Sequence, residues 1–283
     1  MTKLKKVLLG AFICIIVGGL GTIFSYRMYA QSSSVETKEI NAENIENIKM
    51  KVDNQRVEVI PTSGTTIKAE LTREGITNST FTVEEKDDTA EIQIEDKERS
   101  FFSFHFHNWK QKLKLFIPEK DYQAITIKVN NGELEMEEVR TTDLEVDTNN
   151  GEIDMNHLQT VTSMISTNNG SIHLEDIISD YIQVSTKNGE IEMSDIIGDL
   201  KGRTNNGSIS LVTSDLDRPI DLETHNGKIN IQTEKEPTNV RFDTSVYNGK
   251  ITILDDTNFS NIIGDGDNLV KLKTYNGSIK VTK

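Results

Sequence analysis

The chain has 283 residues, 35% of them hydrophobic and only 6% aromatic, with a formal net charge of −14. That length admits one elongated unit or two small domains, with a core of Ile, Leu, Val and Met rather than aromatic rings. The acidic balance argues against nucleic acid as a partner, and a single cysteine, Cys14, excludes a disulfide framework.

Residues 1–6 form a basic stub carrying Lys3, Lys5 and Lys6. An uncharged, mostly apolar run from Val7 to Phe24 follows, then Ser25, Tyr26 and Arg27. The run is long enough to span a bilayer, and the lysines orient its start to the cytoplasm. Residues 7–27 are therefore expected to be an uncleaved transmembrane anchor. A cleaved signal peptide is the alternative, but cleavage after Ala30 would put Met28 where a small residue belongs. Residues 28–38 read as a linker, with everything beyond lying outside the cytoplasmic membrane. The absence of cysteine there fits a bacterial envelope protein.

Residues 39–120 read as an irregular β region that caps the remainder of the chain. Ile48–Ile60 looks like a decayed repeat, with Asn54-Gln55 where Asn-Gly stands later. Segments 66–71, 79–84, 90–94 and 112–117 read as further strands. Between the last two lies the oddest local sequence, Arg99–Trp109, with Phe102, Phe104, Phe106 and Trp109 alternating with small or polar residues. His105 and His107 would share one face of a strand, but the segment supplies no third ligand to complete a metal site. The segment reads either as a cover for the end of the fold or as a loop that meets a membrane or a partner.

From residue 121 to 283 one dipeptide keeps time. Asn-Gly pairs fall at Asn131-Gly132, Asn150-Gly151, Asn169-Gly170, Asn188-Gly189, Asn206-Gly207, Asn226-Gly227, Asn248-Gly249 and Asn276-Gly277. The glycines are 19, 19, 19, 18, 20, 22 and 28 residues apart. Apolar residues recur two and four positions after glycine, from Leu134 and Met136 to Ile279 and Val281. Seven before it stand Leu144, Ile182, Leu200, Ile220, Phe242 and Val270, with Ser163 the polar exception. Three before it stands Thr148, Thr167, Thr186, Thr204, Thr224 or Thr274, replaced by Val129 and Val246 in two units. Alternation on both sides of a corner means two short strands per unit with one buried face. Val139, Leu158, Ile177 and Ile196, seven after glycine, point to a third wall in the early units.

Two folds use this pattern. Asn-Gly between alternating segments is a strong hairpin signal, because a type I′ turn needs positive φ at both central residues. In a β-solenoid the same pair is a corner, and equivalent residues stack from coil to coil. Stacking explains why every position recurs in type, and it permits asparagine ladders along the axis. The expected fold is therefore all-β: a single-stranded β-helix or β-solenoid of about 19–22-residue coils.

The strand Leu113–Pro118, followed by iterated x-Val-x-Thr-x-Asn-Gly-x-Ile, resembles the bacterial putative-adhesin family, a domain of unknown function that includes LiaG-type envelope proteins. The resemblance covers roughly residues 40–283. It implies a β-helix on the outer face of the cytoplasmic membrane, sometimes in an envelope-stress setting, and it carries over no catalytic residues.

The outward positions carry the functional reading. One and three residues after glycine, Glu133, Glu135, Glu152, Asp154, Glu190 and Glu192 would form two adjacent acidic columns, giving way to Lys228, Lys250 and Lys280. Like charges facing across strands cost stability. The columns imply a cation, a basic partner or simply a solvated face. Many equivalent, exposed carboxylates are the wrong arrangement for general acid–base work, which needs a pair in unequal environments. The expected function is a non-enzymatic binding or scaffold role at the cell envelope, without cofactor, toward an envelope protein or polymer. A surface adhesin and a carbohydrate-active β-helix enzyme are the alternatives. The last coil ends at Lys283 with no evident cap, so self-association through the C-terminal coil is expected unless Asp255–Asn268 folds over that edge.

Overall fold

The computed structural model describes residues 11–12, 14–22, 33–74, 79–96, 111–254 and 260–283. Phe102, Phe104, Phe106, Trp109 and both histidines of that segment lie outside the described residues. Residues 11–12 and 14–22 are helical, with Phe12, Ile15, Ile16, Val17 and Leu20 exposed. Among the described residues no helix is long and apolar enough to cross a membrane.

Among the described residues everything from Ser33 onward is β-structure and connections. The Asn-Gly pairs are corners, not hairpin turns. Arg140–Asn150 runs parallel to Ile153–Asn169 with each residue facing its equivalent one unit on, such as Val146 opposite Ile165 and Asn150 opposite Asn169. Ile172–Asn188 and Ile191–Asn206 continue the stack in the same way. No corner asparagine has positive φ, so the type I′ requirement plays no part. The buried columns are those expected: Leu144, Val146, Ile153 and Met155 in one coil, Ile182, Val184, Ile191 and Met193 in another. Ser163, the polar exception, is fully buried and shares a 2.7 Å hydrogen bond with Thr160.

The recurring Thr, Asn and Gly are one device. A Cβ on Gly189 would lie 1.9 Å from the carbonyl oxygen of Gly170, and on Gly207 1.8 Å from that of Gly189. Each glycine carbonyl points along the axis into the space that the next side chain would need. That oxygen accepts a hydrogen bond from the buried threonine of the next coil: Thr186 to Gly170 at 3.1 Å, Thr204 to Gly189 at 3.1 Å, Thr224 to Gly207 at 2.8 Å. Beside it each asparagine amide donates to the carbonyl of the asparagine one layer back, for example Asn169 to Asn150 at 2.7 Å and Asn188 to Asn169 at 2.8 Å.

Six residues after the glycine comes a second corner. Glu138, His157, Asp176 and Asp195 have φ of 54°, 54°, 52° and 53°, a left-handed conformation uncommon outside glycine. Each bend turns the next residue inward, burying Val139, Leu158, Ile177 and Ile196 as a short third wall. In two later coils Thr213 and Thr233 stand in its place, buried and donating to the carbonyls of Asp215 and Lys235.

At the amino-terminal end seven strands among the described residues precede the first Asn-Gly coil: β1 (Ser33–Asn41), β2 (Asn47–Val52), β3 (Gln55–Thr62), β4 (Thr66–Glu74), β5 (Ser79–Lys86), β6 (Thr89–Asp96) and β7 (Gln111–Pro118). β2 and β3 form a full layer, parallel to Asp121–Asn131 and Leu134–Glu137. β6 and β7 form the next layer out, parallel to β2 and β3. The Ile48–Ile60 segment is thus a repeat in structure as well as in sequence: Asn131 donates to Asn54 at 2.8 Å, and Asn54 to Asp96 at 2.7 Å. Beyond these layers the direction reverses. β5 pairs antiparallel with β6, β4 with β7, and β1 with β4. The reversal covers the outer edges of β6 and β7 with β5 and β4, leaving β1 and β5 as the outermost described strands at this end.

The carboxy-terminal end departs from sequence order. Ile220–Asn226 pairs not with the next unit but with the last, Asn268–Asn276. Val240–Asn248 then pairs on the outer side of Asn268–Asn276. The second wall agrees: Ile229–Thr233 pairs with Ile279–Thr282, and that strand with Ile251–Ile253. The chain skips one layer, builds the outermost coil, and returns to fill the gap. The 28-residue final step supplies the length for the return. The expectation that the C-terminal coil is the free end is therefore corrected: both its edges are occupied, and the free edge belongs to Val240–Ile253. Part of the 255–268 insertion does cover an edge, with Ile262–Ile263 antiparallel to Val240–Arg241.

Polar side chains pin this crossover. Asp217 accepts from the backbone N–H groups of Thr238 and Asn239, both at 3.0 Å, and from the Thr238 hydroxyl at 2.6 Å. Asn239 in turn exchanges hydrogen bonds with Asp267, each at 3.0 Å. Partial burial pushes the Asp217 carboxyl upward, but donation from Thr238 and Asn239 outweighs it and holds the pKa below the ordinary value of 3.8. Since the folded value is the lower one, this contact stabilises above the unfolded pKa and is lost as pH falls through the folded one. The amide shifts of Thr238 and Asn239 should titrate together at pH below 3.8, with Asp217→Asn abolishing the transition. Titration of these amides in the ordinary carboxylate range would contradict the pinning.

Candidate interaction faces

The wall after each Asn-Gly corner carries the charged columns. Glu58, Glu135, Asp154, His173, Glu192, Ser210, Asn230, Lys280 and Thr252 stand in register along the axis. All six acidic residues read from the sequence are on this face. Stacking like charges would be unfavourable, and two side chains contact the carboxylates. Arg56 bonds Glu135 and lies 3.1 Å from Glu133. The bond to Glu135, opposed by some desolvation and helped by the field of Glu133 and Glu58, raises the Arg56 pKa. His173 lies between coils, with Nε2 3.0 Å from Glu152 and Nδ1 3.1 Å from Glu192. Both ring nitrogens act as donors only in the imidazolium.

Asp154 and Glu190 are left with no ion pair among the described residues. Toward the amino-terminal cap the face turns basic, where Lys112 and Lys114 meet Glu58. At the far end Lys228, Lys280 and Lys250 make it basic again. The face is zoned, basic to acidic to basic, on a flat rigid wall. Among the described residues no group of three or more His, Cys, Asp or Glu is placed to hold a metal ion.

The wall before the corner carries a feature not read from the sequence. Two residues before glycine the column is asparagine in the early coils, with Asn149 bonded to Asn130 and Asn168 to Asn149. In the last three layers it becomes aromatic. His225 stacks on Tyr275 with centroids 4.9 Å apart, and Tyr275 on Tyr247 at 4.6 Å, each pair nearly parallel. Beside His225 an open groove of about 460 Å³ runs between Arg203 with Glu223 and Asn205. Glu223 is held there by Arg203 at 3.4 Å and Lys273 at 3.1 Å. The signal was present, since all three rings occupy one repeat position, but their contact depends on the reordered coils.

These surfaces define a capped, parallel β-solenoid that presents fixed columns of side chains on flat walls. The family model of Toastrack DUF4097 matches residues 45–282, and the chain belongs to that family. A putative adhesin from Bacteroides fragilis has the same fold, with a TM-score of 0.56 at 15% identity over 88% of this chain and 98% of that one. A putative cell adhesion protein from Clostridium sporogenes aligns over 89% of this chain and 99% of its own at 13% identity, with a TM-score of 0.35. No curated protein is significantly similar in sequence.

Proposed function

We propose that this protein is a non-enzymatic binding scaffold of the bacterial cell envelope, held by its amino-terminal apolar run in the cytoplasmic membrane with the solenoid outside. The observation that carries the binding role is the zoned charged wall, where Asp154 and Glu190 stand free of ion pairs among the described residues, amid partly neutralised neighbours. Such a wall recognises a partner of complementary charge along its length rather than at one atom. The preferred partner is an envelope protein or polymer bearing basic groups, in a LiaG-like accessory role in envelope stress. The adhesin names of the structural neighbours are compatible with surface binding. The eight Asn-Gly layers and two amino-terminal layers make a rod of about 45 Å, which keeps it near the membrane.

Photo-crosslinking from Asp154 and Glu190 positions in intact cells tests this reading. The same partner should be captured from both, and Asp154→Lys with Glu190→Lys should weaken capture together. Glycan hydrolysis that disappears on replacing one carboxylate would contradict a scaffold. The anchor is tested separately: full-length chain should fractionate with membranes, and Val17→Lys with Leu20→Lys should release it or prevent its export.

A further inference from the structure

The distal coil is an unfinished layer. Antiparallel strands cover the amino-terminal layers, whereas among the described residues Val240–Ile253 is covered only at its start, by Ile262–Ile263 and by Phe242 N–H donating to the Asn261 carbonyl at 2.8 Å. From Asp243 to Ile253 no described strand lies on its outer side. Thr244, Val246 and Ile251 are partly exposed there, while their equivalents one layer in, Leu272, Thr274 and Ile279, are at most 1% exposed. Tyr247 ends the ring stack and is 71% exposed.

The polar columns give this end a direction. Every corner asparagine donates toward the amino-terminal end and accepts from the distal side. Asn248 donates to Asn276 at 2.8 Å, and its own Oδ1 has no donor among the described residues. The Gly249 carbonyl is likewise without a partner among the described residues. From Gly151 to Gly227 the equivalent oxygen is filled by threonine, as when Thr274 donates to Gly227 at 2.9 Å, whereas the Gly277 carbonyl faces Val246. Unfilled acceptors beside an unpaired strand edge form a template for one more strand.

We propose that the distal coil docks an extended segment of a partner polypeptide, which adds as a further parallel layer. Its recognition chemistry follows from the inner layers. A hydroxyl donor meets the Gly249 carbonyl, and an amide donor two residues later meets Asn248 Oδ1. A residue without Cβ comes next, then an apolar residue covering Ile251. A second copy of this chain does not meet the requirement. Its distal end offers the same acceptors, so a head-to-head pair sets acceptor against acceptor, and at its other end the outermost strands are antiparallel and the asparagine ladder ends on the Asp96 carboxylate. The distal site is separate from the acidic wall and stands or falls apart from it.

The probe is a fluorescent peptide of residues 268–283, whose Thr274, Asn276 and Gly277 carry that pattern. Titrated with the full-length protein in detergent, it should bind saturably and add hydrogen-exchange protection at 243–253. The same peptide with Thr274→Val and Asn276→Leu should bind about tenfold or more weakly, the loss of roughly one good hydrogen bond. Val246→Lys with Ile251→Lys in the protein should abolish binding without altering exchange in the inner coils. Equal binding of the two peptides, no binding at all, or loss of protection at 268–283 through displacement of the native coil would overturn the proposal. So would a concentration-dependent dimer that the two lysines dissolve.

Discussion

Gly189→Ala should destabilise the solenoid by about 3 kcal/mol or more, above the usual range for one extra methyl in a packed core. The added Cβ would sit 1.9 Å from the Gly170 carbonyl oxygen and 2.5 Å from its carbon, both backbone atoms. Neither can yield without parting two coils, which would also stretch the Thr186–Gly170 and Asn188–Asn169 hydrogen bonds. Backbone conformation is not the cause, since Gly189 has no positive φ. Gly189→Asn distinguishes the two explanations. Asparagine suits a left-handed turn position, so a hairpin would tolerate it, whereas a stacked corner should lose at least as much stability as with alanine. Gly64→Ala is the control: the nearest atoms are Thr62 side-chain atoms at 3.7 and 3.8 Å, and the change should stay within about 0.5 kcal/mol. Urea unfolding of the three variants gives the comparison.

Ending the chain after Asp267 should unfold residues that remain in it. Among the described residues Val240–Asn248 pairs only with Asn268–Asn276 and the two residues Ile262–Ile263, and Ile251–Ile253 only with Ile279–Thr282. Without the last sixteen residues the outer coil has nothing to stack on, and amide exchange across 240–253 should rise to that of a free loop. In a solenoid stacked in chain order the same truncation would leave that coil protected. Docked directly on the Asn226 coil, Val246 would stand where Thr274 stands and leave the Gly227 carbonyl without its donor, costing about 1–3 kcal/mol, as it does over the Gly277 carbonyl in the native stack. Thr274→Val in the full chain should cost a similar amount by the same route, read from its thermal midpoint.

The repeat was legible because its information is local. Apolar residues at fixed offsets from Asn-Gly name the buried face of each coil whatever the stacking order. The reason for glycine was not legible in one unit, because its Cβ is excluded by the carbonyl of another coil. Coil order was hidden for a related reason: in-register parallel stacking accepts any neighbour with the same pattern. The departures from the pattern held the clue. Val129 and Val246, the two exceptions to threonine, occupy the first and last Asn-Gly layers of the stack, although Val246 belongs to the seventh pair in sequence. The acidic columns follow from spacing once the coils stack, but Arg56 and His173, which contact parts of them, come from a degenerate repeat and from within a column. The Phe102–Trp109 segment lies outside the described residues. The flanking strands β6 and β7 end and begin at Asp96, which terminates the asparagine ladder, and Gln111, which accepts from Gln55 at 3.1 Å.

The reordered end sets which strand edge, which rings and which charges the molecule presents, and two cysteine pairs test it most directly. Lys280 lies between Asn230 and Thr252 in the register of the second wall. In a Cys14→Ser background, Asn230→Cys with Lys280→Cys joins adjacent layers about 4.8 Å apart, within disulfide reach, and should crosslink on mild oxidation. Asn230→Cys with Thr252→Cys spans two layers, about 9.6 Å, and should stay reduced. The opposite outcome, a bond between 230 and 252 and none between 230 and 280, would mean the coils stack in chain order and would contradict the account.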